Sequence, residues 1–195
     1  MNQIQVKVLQ HLLDLYEKSK TFLEINKVSQ SFSVPVGRLF PRYNDDSEYD
    51  LFCHVNESLV ELESLSFVFL EREKNGTLKK AVLNQDKLDE CYKALGRTPR
   101  KEEQARIAEF WDELYLECRK TEGRLQPLWD YIEAQKERMA GNKNIEYYEQ
   151  DLEDYRDLLK LAAAALSNEQ ETFIRTLSIQ LFSDSKRFLL DRKST

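Results

Sequence analysis

Residues 43–83 read YNDDSEYDLFCHVNESLVELESLSFVFLEREKNGTLKKAVL, and this stretch decides the fold. Asn44, Asp45, Asp46 and Ser47 are short polar residues of the kind that satisfy the free N–H groups of a starting helix, and Asp50 suits its positive end. Beyond them Tyr49, Phe52, Cys53, Asn56, Leu59, Leu62 and Leu65 recur at threes and fours, which predicts a helix to about residue 65. Phe67-Val68-Phe69-Leu70 then has strand character. Lys74-Asn75-Gly76-Thr77 carries the Asn-Gly pair that supplies the positive φ angles of a tight hairpin, so Leu78 to Leu83 is expected to return as the partner strand.

Upstream, Ile4, Val8, Leu12 and Tyr16, with Leu9 and Leu13 beside them, form the apolar face of a helix over residues 3–20. Gln30 to Val34 alternates like a short strand. Pro35 can open a helical turn carrying Val36, Leu39 and Phe40, which Pro41 would end. The order helix, strand, helical turn, capped helix, hairpin is that of a winged helix-turn-helix, expected here over residues 1–98. A further helix from Asp86 should stop at Gly96, where a left-handed cap costs glycine nothing.

Thr98-Pro99 marks a boundary. Beyond it Ile107, Trp111, Leu114, Cys118, Thr121, Leu125, Leu128 and Ile132 form one seam, which Gly123 and Pro127 should bend or break. Gly141-Asn142 is the expected reversal, and Ile145, Tyr148, Leu152, Tyr155, Leu159, Ala162 and Leu166 form the returning seam. Residues 99–168 are therefore expected to be an antiparallel, coiled-coil-like helical hairpin, either projecting as an arm or packed as the wall of a bundle. In 169–195, Phe173 to Ile179 suggests a short strand and Ser183 or Asp184 a helix cap, as at the start of a further domain or in a C-terminal docking segment. The predicted fold class is mainly α with a small β-wing.

The 195 residues include 33% charged and 41% apolar side chains, five Gly and four Pro, the profile of a helix-rich globular protein. A formal charge of −6 argues against coating nucleic acid through the overall field, so any DNA contact must be local. The three cysteines, Cys53, Cys91 and Cys118, are spaced for neither a disulfide framework nor a zinc pair, and a reducing cytoplasm is expected. No signal-peptide pattern and no apolar run of about 18 residues occurs. His11 and His54 lack partners at metal-ligand spacing, and phosphate-cradling or nucleophile-elbow motifs are absent. The carboxylates of Asp151 to Asp154 read as a solvated helix face. No catalysis, metal or cofactor is expected in this chain.

The expected reading helix carries Asp45, Asp46, Glu48, Asp50, Glu57, Glu61 and Glu63 between Tyr43 and Ser64, and no Lys or Arg. Phosphates would be repelled there. Basic residues collect instead on the wing and at the end of the chain. Arg42, Arg72, Lys74, Lys79, Lys80, Lys186 and Arg187 are the candidate DNA contacts, beside scattered solvating charge as the plain alternative. Glu57 and Glu61 are the candidates for docking a protein partner.

SFSVPVGRLFPRYNDDSEYDLFCHVNESLVELESLSFV, LNQDKLDECYKALGRTPRKEEQ and FIRTLSIQLFSDSKRFL together resemble the N-terminal region of the JetD-like subunits of Wadjet anti-plasmid defence systems. The resemblance implies a nuclease subunit related to the A subunit of topoisomerase VI, working beside an SMC-like complex that recognises small circular DNA. It places the metal-binding acids in a C-terminal Toprim domain, which these residues do not contain. Where the family carries a glycine before an Asp-Ser-Lys triplet, Ser183 stands before Asp184, Ser185 and Lys186, and Leu189-Leu190 precede Asp191. The expectation is a non-catalytic N-terminal module that positions DNA or the SMC-like partner and aids homodimerisation, with weak, sequence-independent DNA binding and no membrane contact. The rivals are a PadR-like winged-helix regulator with a helical dimerisation arm and a protein-protein adaptor.

Overall fold

The computed structural model describes residues 1–23, 30–118, 123–149, 151–168 and 173–184. It is mainly helical with a small three-stranded antiparallel sheet. The chain divides into two compact units, Met1–Arg100 and Lys101–Thr195. Among the described residues no helix is long and apolar enough to cross a membrane.

In the first unit, α1 (Gln3–Glu17) opens with a reciprocal capping box between Asn2 and Gln5. It buries Val8, Leu9, Leu12 and Leu13, as its apolar spacing predicts, together with two polar residues, Gln5 and Glu17. β1 (Ser33–Pro35) leads directly into the single turn α2 (Val36–Leu39), with Pro35 as the cap residue. Asp45 accepts a hydrogen bond from the Ser47 backbone and starts a 3-10 turn, Asp46–Glu48, from which α3 (Tyr49–Ser64) grows. The buried side of α3 is Val55, Ser58, Leu59 and Leu62. The expected stripe was rotated from this, and Tyr49 and Leu65 lie exposed because the sheet meets the helix on the Val55 side.

α3 ends in a reversal with Ser66 left-handed at φ 60°, its N–H bonded to Glu63 O and that of Phe67 to Leu62 O. The chain thereby enters β2 (Val68–Arg72) and returns as β3 (Leu78–Leu83). The sheet order is β1-β3-β2, with Val34 opposite Ala81 and Leu70 opposite Ala81 from the other side. α4 (Leu88–Leu95) stops at Gly96, whose φ of 62° is the left-handed cap expected from the sequence. At the turn between β2 and β3 only Gly76 has positive φ, at 88°. Glu73 N–H bonds to Thr77 O and Gly76 N–H to Glu73 O. This is a turn closed by a left-handed glycine, not the two-residue turn with two positive φ angles that Asn-Gly suggested.

The second unit has α5 (Arg100–Cys118), α6 (Gln126–Ala140), α7 (Leu152–Ser167) and α8 (Ile174–Phe182). The seam over 107–132 is interrupted near Gly123 and Pro127, as expected, and forms two helices, with Pro127 in the first turn of α6, where its missing N–H costs nothing. Ile107, Phe110, Trp111, Leu114, Leu125, Leu128, Ile132, Ile145, Tyr155, Leu159 and Ala163 form one core, so three helices share what was expected of a two-helix hairpin. The returning helix begins at Leu152, capped by Asp151, not at Ile145. Residues 143–149 pack as an irregular segment instead. The strand expected at Phe173 to Ile179 is the helix α8, because Leu177 and Ser178 are buried on one side and Ser183, left-handed at φ 56°, ends it.

Candidate nucleic-acid interface

The hairpin and α3 carry most of the charged residues singled out from the sequence. Along β3, Leu78, Ala81 and Leu83 are buried, whereas Lys79 is exposed and Lys80 and Val82 are intermediate. That in-out-out-in order breaks strict alternation. The pairing shows why: Glu71 lies opposite Lys80 and Arg72 opposite Leu78, so Lys79 is an extra residue with no partner across the ladder. A bulge of this kind re-aims side chains, and here it turns two consecutive lysines to the same outer face.

The candidate cations differ in what surrounds them. Arg72 makes an ion pair with Glu63 at 2.6 Å, Lys80 pairs with Glu71 at 2.9 Å, and Arg42 pairs with Glu48. Glu63 also accepts the Leu70 N–H at 3.1 Å, which covers the outward edge of β2. The Arg72 hydrogen bond is the main reason that its carboxyl lies below the usual carboxylate range; slight burial opposes this and the Leu70 N–H assists it. Lys74, at the hairpin turn, and Lys79, at the bulge, are exposed and have no ion-pair partner among the described residues. Lys186 and Arg187 lie outside the described residues.

The docking candidates on α3 are also unequal. Glu57 is exposed on the outward side. Glu61 accepts a hydrogen bond of 2.6 Å from Gln5 Nε2, and Gln5 reaches Ser58 O as well, so Glu61 helps fasten α1 to α3. The sequence reading missed this clasp because a Gln on an amphipathic helix face carries no signal of burial. It also passed over Phe69, which stands 57% exposed on the outer face of the sheet, since the run Phe67-Val68-Phe69-Leu70 signalled strand character without saying which side chains face outward. Among the described residues no three His, Cys, Asp or Glu side chains are grouped as a metal site would need.

The chain is similar to Wadjet protein JetD of Bacillus cereus (strain Q1). The two are 25% identical over 192 residues, which cover 93% of this chain and 44% of JetD. A match of that extent takes in both units. This chain therefore spans less than half the length of JetD. No family model and no solved structure matches it.

Proposed function

We propose that this chain is the non-catalytic N-terminal module of a Wadjet-type anti-plasmid defence protein, in which the first unit works as a winged-helix lobe with reversed polarity. The hairpin lies against DNA phosphates, and α3, which such a lobe would ordinarily insert in the major groove, faces a protein partner in the SMC-like complex. The similarity to JetD supports the defence setting. The order of elements in Met1–Arg100 and the sheet order β1-β3-β2 support the winged-helix reading.

The observation that carries the polarity is the distribution of charge. The bulge and turn present Lys74 and Lys79 with no ion-pair partner among the described residues, whereas Asp50 and Glu57 are exposed on a helix without a single Lys or Arg. Like charges repel, so exposed carboxylates on α3 disfavour seating that helix against a phosphate backbone.

The test is a salt titration with two unrelated duplexes, on wild type, Lys74→Glu/Lys79→Glu and Glu57→Gln. Lys74 and Lys79 are chosen because Lys80 is already held by Glu71. The lysine pair should lose affinity for both duplexes and lower the salt slope by about one unit per lost phosphate contact. Glu57→Gln should bind DNA as well as wild type or slightly better. Supercoiled plasmid incubated with the same preparations and magnesium should stay intact. Strong preference for one duplex, or loss of binding in Glu57→Gln, would transfer the reading to a sequence-specific regulator.

A further inference from the structure

The outer face of the small sheet has an order that phosphate contact alone does not use. Ser33, Val82 and Phe69 lie opposite one another across its three strands, and the next row is Pro35, Lys80 and Glu71. The opposite face is spent on the core, through Val34, Val68, Leu70, Leu78, Ala81 and Leu83. Phe69 thus stands in an edge strand, 57% exposed, with an apolar neighbour across the ladder and a lysine-bearing row beside it. Two residues along a strand span about 6.6 Å, comparable to one nucleotide step of an extended strand.

We infer that this face is a stacking platform for single-stranded DNA, with Phe69 taking a base and the bulged Lys79, together with Lys74 at the turn, taking flanking phosphates. The inference rests on the reading of the hairpin as a DNA contact and names which form of DNA the face accepts. A phenyl ring offers no hydrogen bond to a base edge, and in a duplex the base faces are already covered by their neighbours. Only an unstacked base presents a π-face to a side chain standing on an open sheet. Charge points the same way. Between Glu71 and Lys80 four basic residues face two acidic ones, and the two cations nearest the bulge and turn are those with no ion-pair partner among the described residues, in a chain whose net charge is −6. Because Lys80 is held by Glu71 at 2.9 Å, the bulge is what supplies a second, available lysine on this face.

The experiment compares a labelled oligothymidine with a duplex of equal length, by anisotropy, on the full chain as wild type, Phe69→Ala and Phe69→Trp. Circular dichroism checks that each variant is folded, as expected for an exposed position. Phe69→Ala should weaken oligothymidine binding about tenfold, leave the salt slope unchanged because no phosphate contact is lost, and alter duplex binding less than twofold. Phe69→Trp should keep the affinity and show indole quenching on binding. Oligothymidine binding that is unchanged in Phe69→Ala, or an equal loss on duplex, overturns the inference. If wild type binds duplex through Lys74 and Lys79 but not oligothymidine, the platform is rejected and the proposed function stands. If it binds neither, both are rejected.

Discussion

The two units close their interiors in different ways. In the first, polar groups from the two ends of the unit meet. Glu17, buried at the end of α1, accepts a 2.8 Å hydrogen bond from the Tyr92 hydroxyl, 75 residues away, and an ion pair from Arg97, which also holds Asp14 at 2.7 Å. Burial first, and then the hydrogen bond to Glu17, push the Tyr92 hydroxyl pKa upward, so it remains a donor. In the second unit the partners are tyrosines from nearer segments. Tyr155 receives the Trp111 indole N–H at 3.3 Å and lies 3.3 Å from the Tyr131 hydroxyl, while Tyr148 donates to Glu103 at 2.5 Å. The difference teaches that the first unit joins its two ends through a buried carboxylate and an arginine, whereas the second is a helical core fastened chiefly by tyrosine hydroxyls.

The largest effect should come from breaking the clasp. Glu17→Ala leaves the Tyr92 hydroxyl buried without its acceptor and Arg97 with Asp14 alone, and should cost about 2–4 kcal/mol. Both tryptophans, Trp111 and Trp129, belong to the second unit, so their fluorescence follows that unit while far-ultraviolet circular dichroism follows both. In urea the variant should show an early dichroism phase with the fluorescence midpoint unchanged. A fluorescence midpoint that falls equally would mean the two interiors unfold as one.

A smaller and opposite effect should come from the second unit. Tyr147 is left-handed at φ 59° and 74% exposed, a strained conformation for a bulky residue. Its neighbours impose it: Glu146 N–H bonds to Gln135 at 2.9 Å, Tyr131 donates to Glu146 O at 2.7 Å, and Arg138 holds Asn144 O at 3.0 Å. Glycine adopts this conformation freely, so Tyr147→Gly should raise stability by about 1 kcal/mol, read as a later fluorescence transition. An earlier transition would show that the ring contact with Tyr131, centroids 6.2 Å apart, outweighs the strain.

The smallest effect concerns acid. A carboxyl held below its unfolded pKa stabilises the fold above that value, near about 4.3 for Glu, and the contribution is lost as pH falls through the lower folded value. Glu63 is such a group through Arg72. Glu63→Gln should therefore make the first unit's stability fall less steeply below about pH 4, measured by dichroism at stepped pH. Superimposable acid limbs would leave the Arg72 pair without a role in stability.

The sequence by itself determined the features whose causes lie within a few residues. The capping cluster ahead of α3, the place of the turn at Gly76 though not its type, the stop at Gly96 and the apolar face of α1 follow from local hydrogen-bonding and steric requirements, and these were legible. The placing of Arg72, Lys74, Lys79 and Lys80 on the hairpin was legible too. Which of the candidate cations remain available was not, because Arg72, Lys80 and Arg42 are neutralised by side chains brought close by α3, the strand pairing and the helix start. The bulge that frees Lys79, the clasp of Glu17 across 75 residues, and the choice of helix over strand at Ile174–Phe182 were decided by the tertiary structure alone. Register, ion-pair partners and the burial of a short apolar run depend on what lies opposite in space, and spacing along the chain carries no record of that.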